Sequence, residues 1–241
     1  MSQLTVIFFC AFGPSLAWLG YFWLRDEYSR EPVHLVLLVF GGGLLAGPLA
    51  LLLFEAVERV AFYDRLTELD SVPEAIKLAY CLGAIGPVEE LAKFFVFWLF
   101  VRRKHLDLEE PIDGVVYAAA AALGFATMEN WFHMLLVEEP VWSRAIVLPF
   151  NHVLFSSFWG VAVGLEVSGH RHGSRLVAVG IALAAAYHGL YDYFTVSSVL
   201  SHLLVAPLVL LLWIWLSISI RELLKLRGGP TPAEAVSPPA S

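Results

Sequence analysis

Apolar residues along this chain fall into seven blocks, at roughly 4–24, 33–54, 75–101, 113–137, 145–165, 176–195 and 199–220. Each is near the ~20 residues that carry a helix across the hydrocarbon core of a bilayer. None alternates apolar and polar positions as a barrel strand does. Lipid offers no partners for backbone N–H and C=O groups, so the blocks are predicted to be helices. The predicted fold is an all-α polytopic membrane bundle of about seven transmembrane helices. It forms a single domain over residues 1–227, with its polar chemistry at 75–195. The first block has no basic leader and no small-residue cleavage site, and reads as a retained span. From Glu55 to Ser71 the charges Glu55, Glu58, Arg59, Asp64, Arg65, Glu68 and Asp70 interrupt the pattern. That stretch is expected at the membrane surface as a connector, partly amphipathic helix. The tail at 228–241, GGPTPAEAVSPPAS, is too rich in Pro, Ala and Ser to pack, and is expected to be disordered.

Composition strengthens the membrane reading. Of 241 residues 59% are hydrophobic and 15% charged, and the mean hydropathy is +0.71. Soluble domains run nearer 45–50% apolar and about 25% charged. The balance of 15 Lys+Arg against 22 Asp+Glu leaves a net charge of −7, so no nucleic-acid partner is expected. Cys10 and Cys81 both lie in apolar runs and suggest no disulfide framework.

The basic residues orient the bundle. Arg25, Arg30, Arg102, Arg103, Lys104, Arg171, Arg175, Arg221, Lys225 and Arg227 would lie on one side, against Arg59, Arg65, Lys77 and Arg144 on the other. The positive-inside rule then places the N-terminus outside and the C-terminus in the cytoplasm. Small residues mark sites of close helix packing: Gly41 to Gly43 with Gly47, Ala118 to Ala122, Gly160 with Gly164, and Ala184 to Ala186. No internal repeat is visible, which weighs against the common transporter folds.

The informative residues are ionisable groups inside the predicted spans: Glu89, Glu90, Lys93, Glu129, His152, His188 and Asp192. Each costs on the order of 2.5–3.5 kcal/mol at mid-span, so seven are not an accident. At 1.5 Å per residue, Glu89 lies about 15–18 Å below the outer face, Glu129 and His152 about 12 Å, and His188 about 10–12 Å. Four helices thus deliver polar groups to similar depth in the outer half of the membrane, as a shared site requires. Glu89 and Lys93, Phe125 and Glu129, and His188 and Asp192 are each one turn apart and share a helix face. Asp192 is placed to orient the His188 imidazole. Glu89 and Glu90 point about 100° apart, so one is expected to face the cavity while the other pairs with Lys93 or caps a helix. Gly86-Pro87 loosens the helix just before them.

This set suits water activation. A Glu in a low-dielectric site is a competent general base, and a nearby His stabilises an oxyanion or protonates a leaving amine. No Ser or Cys is placed as a nucleophile, and Ser156 and Ser157 are expected to bond back to their own helix. A proton- or ion-coupled transporter is the rival reading, since such chains also relay protons. A non-catalytic scaffold is a third.

Glu89-Glu90-x-x-Lys93, Phe125-x-x-x-Glu129-Asn130, His152 in the next span and His188-x-x-x-Asp192 resemble the signature set of the PrsW family of bacterial intramembrane proteases. These are distant relatives of the CAAX prenyl endopeptidase and Abi families. The resemblance covers about residues 75–195, with four motifs in the family's order. It implies a multi-pass enzyme of the bacterial cell membrane that makes a first, extracytoplasmic cut in a single-pass anti-sigma factor. By position it implies catalytic roles for Glu89, Glu90 and His188, with His152 and Glu129 matched by span order and motif. Lys93, Asn130 and Asp192 would support them. The CAAX enzymes have His where this chain has Glu129. Two mechanisms are open at this point. In one, Glu89 or Glu90 activates water without a metal, and His152 with His188 stabilises the transition state. In the other, His152, His188 and either Glu129 or Asp192 hold a divalent metal such as Zn²⁺.

Overall fold

The computed structural model describes residues 2–25, 30–61, 72–102, 108–197 and 203–226. Among them there is no strand, and the elements are α1 (Gln3–Leu24), α2 (Val33–Ala61), α3 (Glu74–Tyr80), α4 (Gly86–Phe97), α5 (Asp113–Leu136), α6 (Trp142–Val167), α7 (Gly173–Val196) and α8 (Val205–Leu226). A π-helical turn, Cys81–Ile85, joins α3 to α4, and a second, Trp98–Arg102, comes directly after α4. Five of these helices, α1, α2, α6, α7 and α8, are long and apolar enough to cross a membrane.

Two helices differ from the sequence expectation by more than three residues at an end, while α6 and α7 each start three residues early. The second block was expected to end near residue 54, yet α2 continues through Glu55 to Ala61. The stretch after Pro48 contains neither Gly nor Pro, so nothing local stops the helix. At 1.5 Å per residue α2 is about 43 Å long, beyond the ~30 Å hydrocarbon core. The last block was expected at 199–220, whereas α8 starts at Val205 and runs to Leu226. There Lys225 pairs with Glu222 one turn back at 2.6 Å, and the polar end stays helical. The rest of the expected surface segment, residues 62–71, and the tail at 228–241 lie outside the described residues.

The centre of the bundle is α5, in which every residue from Asp113 to Thr127 is buried. A helix apolar or small on all sides has no solvent face and is surrounded by others. It packs against α1, α2, α4 and α6. In α6 the run from Asn151 to Gly160 is equally buried, and α7 and α8 cover its far side. The small residues singled out in the sequence make these approaches close. A Cβ on Gly124 would lie 2.0 Å from the Phe40 carbonyl oxygen of α2.

The contact that matters most for function joins α4 to α7. A Cβ on Gly86 would sit 2.1 Å from the Ala185 oxygen, and one on Gly189 would sit 2.3 Å from the Cys81 oxygen. The π turn ends as the Gly86 N–H bonds to the Cys81 carbonyl. Pro87 has no N–H with which to continue the regular ladder. A π turn widens the helix and rotates the residues beyond it. Here it presents Glu89 and Glu90 beside His188. Alanine at Gly86 or Gly189 is expected to overpack this contact at a cost of about 1–3 kcal/mol. Gly20→Ala, with nothing within 4 Å of its Cβ, should be neutral. Thermal unfolding of the detergent-solubilised variants checks this.

Candidate active site

All seven ionisable residues picked out by hydropathy meet in one cluster. Glu90 and Lys93 are fully buried at its base. Lys93 Nζ donates to Glu90 Oε1 at 2.8 Å and lies 2.7 Å from His152 Nδ1. It also sits 4.3 Å above the Phe125 ring centroid, which explains why an aromatic stands one turn before Glu129. An ammonium group only donates, so Nδ1 accepts, and a neutral His152 carries its hydrogen on Nε2. His188 Nδ1 lies 3.1 Å from Glu90 Oε1, and the Phe155 ring stacks on the imidazole at 4.7 Å. The second oxygen of Glu90 accepts from Ser156 Oγ at 2.8 Å and Trp159 Nε1 at 3.1 Å.

The other half of the cluster keeps several buried polar atoms without a hydrogen bond. A cavity of about 290 Å³ is lined by Glu89, Glu129, His152, His188 and Asp192, with Arg144 and Tyr191 among their neighbours. Glu89 Oε2 lies 3.4 Å from His188 Nε2 and 3.7 Å from Lys93 Nζ. Asp192 Oδ2 is 3.5 Å from the same His188 nitrogen, and Glu129 Oε2 is 2.9 Å from His152 Nε2. None of these carboxylate oxygens, nor His152 Nε2, is aligned for a hydrogen bond, although all are buried. Donor atoms of Glu89, His152 and His188 lie within 4.8 Å of one another. Buried carboxylate oxygens that converge without donors are what a divalent metal or a reacting water would satisfy, and His152 Nε2 joins them as a ligand only by giving up its hydrogen. The donor set therefore fits a metal.

Of the two adjacent glutamates, Glu89 lines the cavity while Glu90 pairs with Lys93, the division of labour expected from their 100° separation. The orienting contact on His188 Nδ1 comes from Glu90 rather than Asp192, which faces Nε2 instead. Asn130 is buried but does not line the cavity, and neither of its amide atoms has a hydrogen-bond partner. Ser157 bonds back to the Leu154 carbonyl as expected; Ser156 does not.

Sequence reasoning missed Ser156, Trp159, Arg144 and Tyr191. The first two come after His152 at i+4 and i+7, on one face of α6. Arg144 precedes His152 by two turns on that face and pairs with Glu129. Counting it only as a loop charge hid it.

Comparison with known proteins decides the lineage. The family described as "PrsW family intramembrane metalloprotease" matches residues 31–218. The chain belongs to the PrsW family. It is 31% identical over 227 residues to Protease PrsW of Geobacillus kaustophilus, covering 93% of each chain. To Protease PrsW of Bacillus subtilis it is 28% identical over 84% of this chain and 87% of the relative. To that of Clostridioides difficile it is 26% identical over 73% and 74%. No solved structure matches. As a PrsW-family member the chain is an intramembrane protease, a multi-pass protein of the bacterial membrane.

Lys93 is the cation on which both halves of the cluster lean. Removing one partner from a buried charge network costs about 3–5 kcal/mol, so Lys93→Met should lower stability by that order. Lys225→Met, on an exposed pair, should change it by less than about 0.5 kcal/mol. Equilibrium unfolding in mixed micelles compares the two.

Proposed function

We propose that this PrsW-family protease hydrolyses a peptide bond of a single-pass membrane protein near the extracytoplasmic face. The substrate class is an anti-sigma factor, cut as the first step of a stress relay. The observation that carries the reading is the convergence of Glu89, His152 and His188 within 4.8 Å in a buried cavity. The cavity is lined at one end by Arg144, near the start of α6, and by Val196 at the end of α7. Lys77 Nζ bonds the Val196 carbonyl, and Gln3 bonds the Glu138 carbonyl. These contacts tie the start of α1, the α5–α6 turn and the end of α7 to one end of the bundle. With the excess of basic residues on the opposite side, that end is extracytoplasmic, the C-terminus is cytoplasmic and the bundle has seven spans. Residues 1–227 act as one transmembrane domain.

In the mechanism, Glu89 Oε2 takes a proton from water as the hydroxide adds to the scissile carbonyl, and later passes it to the leaving amine. His152 Nε2, which carries its ring's hydrogen, is the donor facing the developing oxyanion, and His188 Nε2 lies beside Glu89 as an acceptor. A divalent metal would be held by His188 and by His152, the latter giving up its Nε2 hydrogen to solvent, with Glu129 or Asp192. When bound it would polarise the carbonyl and acidify water. Arg144 fixes Glu129 at the mouth of the cavity, while the packed faces of α5 and α6 exclude bulk water from its base.

Co-expression with a tagged single-pass anti-sigma factor from the same genome tests the activity. Glu89→Gln and His188→Ala should abolish the fragment made by the wild type at equal membrane levels, a loss of at least about 10²-fold. Wild-type cleavage by both variants would contradict the assignment. Metal content separates the roles. Glu89→Gln should keep Zn²⁺ measured by mass spectrometry of the purified protein, whereas His188→Ala should lose it. Metal lost from Glu89→Gln would instead make Glu89 a ligand.

A further inference from the structure

We propose that Ser156 and Trp159 are positioning residues of the proteolytic site, holding Glu90 as a fixed anion that sets His188 with its hydrogen on Nδ1. The inference rests on the reading of His188 as a reacting group, and it separates Glu90 from Glu89 in role.

A carboxylate offers about four acceptor positions, and Glu90 has four donors. Oε1 faces Lys93 Nζ at 2.8 Å and His188 Nδ1 at 3.1 Å, while Oε2 accepts from Ser156 Oγ at 2.8 Å and Trp159 Nε1 at 3.1 Å. Lysine and tryptophan can only donate, so each Glu90 oxygen accepts from one of them, and as an anion Glu90 accepts from all four. It is fully buried and does not line the cavity, so no acceptor position is left for a water. Glu90 therefore acts through the imidazole. Its Oε1 requires the hydrogen of His188 on Nδ1, which turns the Nε2 lone pair towards Glu89 and Asp192. Phe155 stacked at 16° to the imidazole fixes the ring plane.

The two α6 donors are themselves held. Ser156 and Trp159 are wholly buried. The indole packs against Phe94 and Phe97 of α4, with ring centroids at 5.4 and 5.2 Å. This packing ties the α6 donors to the helix that carries Glu90. Without them Oε2 would be a buried oxygen with no donor, and Glu90 would turn to find one. Outer partners of this kind are worth about 10- to 100-fold in activity or metal affinity at orienting positions.

Ser156→Thr and Ser156→Val test the idea, because both add the same methyl group and only Thr keeps the hydroxyl donor. Trp159→Phe keeps the packing on α4 and removes the N–H. Imidazole resonances of ¹⁵N-histidine-labelled full-length protein in micelles report the tautomer, with His188 identified by its loss in His188→Asn. Wild type and Ser156→Thr should show His188 protonated on Nδ1. Ser156→Val combined with Trp159→Phe should show mixed tautomers. Ser156→Val should also cleave at least about tenfold more slowly than Ser156→Thr, in kcat rather than KM. If Ser156→Val does not fold, Trp159→Phe alone provides the tautomer comparison. An unchanged Nδ1–H signal in the donor-less proteins, or equal behaviour of Thr and Val, overturns the proposal. The tautomer is read without substrate, so a wild type that fails to cleave would sink the role of Glu89 and leave this inference to the spectrum.

Discussion

A charge buried within a bundle survives only if it is surrounded by partners, and the site is built around one such charge, the Glu90 carboxylate. It takes donors from α4, α6 and α7 at once. Those three helices cannot slide or rotate against one another without leaving a buried polar atom unsatisfied, which costs several kcal/mol for an ion. Lys93 extends the constraint to α5 through the Phe125 ring and to His152 through Nδ1. The neighbouring half of the cluster is different. Glu89, Glu129 and Asp192 hold oxygens that are buried and not hydrogen-bonded. One half is hydrogen-bonded and holds its shape; the other keeps buried oxygens without a hydrogen bond and is where chemistry has something to gain.

Backbone geometry makes this asymmetry available. Glu89 and Glu90 are adjacent, and on any helix they diverge by about 100°. The π turn at Cys81–Ile85 and the close approach of Gly86 to Ala185 and of Gly189 to Cys81 decide which way the pair points. A wider turn with no Cβ in the way lets α4 lie against α7. His188 then falls between the two glutamates, with one ring nitrogen for each.

Much of this was legible in the sequence, because lipid enforces helix and penalises stray charge. The starts of α1, α2 and α5, the helical course of residues 74–102, the packing glycines and the site residues all stem from those two pressures. The unexpected features belong to contacts between helices, which local periodicity does not encode. Ser156 looked like a residue that bonds back to its own helix, and only the arrival of Glu90 from α4 gives it another acceptor. Arg144 looked like a loop charge until α6 was seen to start at Trp142 and bring it to the mouth of the cavity. Asp192 was expected to orient His188, yet the i+4 spacing puts its oxygen near Nε2, while the nitrogen that needs orienting meets Glu90. The end of α2 was placed too early because charge was read as the end of the span, with any helix beyond it taken as a separate surface segment. A charged turn beyond the hydrocarbon edge interrupts hydropathy without interrupting the helix.

The account's central claim is that four helices bring their polar groups to one hydrolytic site in the extracytoplasmic half of the membrane. The most direct test is to reconstitute the purified protein with a single-pass substrate in H₂¹⁸O and map the cut by mass spectrometry. The account predicts one ¹⁸O in the new carboxyl terminus, at a bond within about 18 Å of the extracytoplasmic face, the depth of Glu89 at 1.5 Å per residue. A cut in the cytoplasmic half, or a product without ¹⁸O, would contradict it.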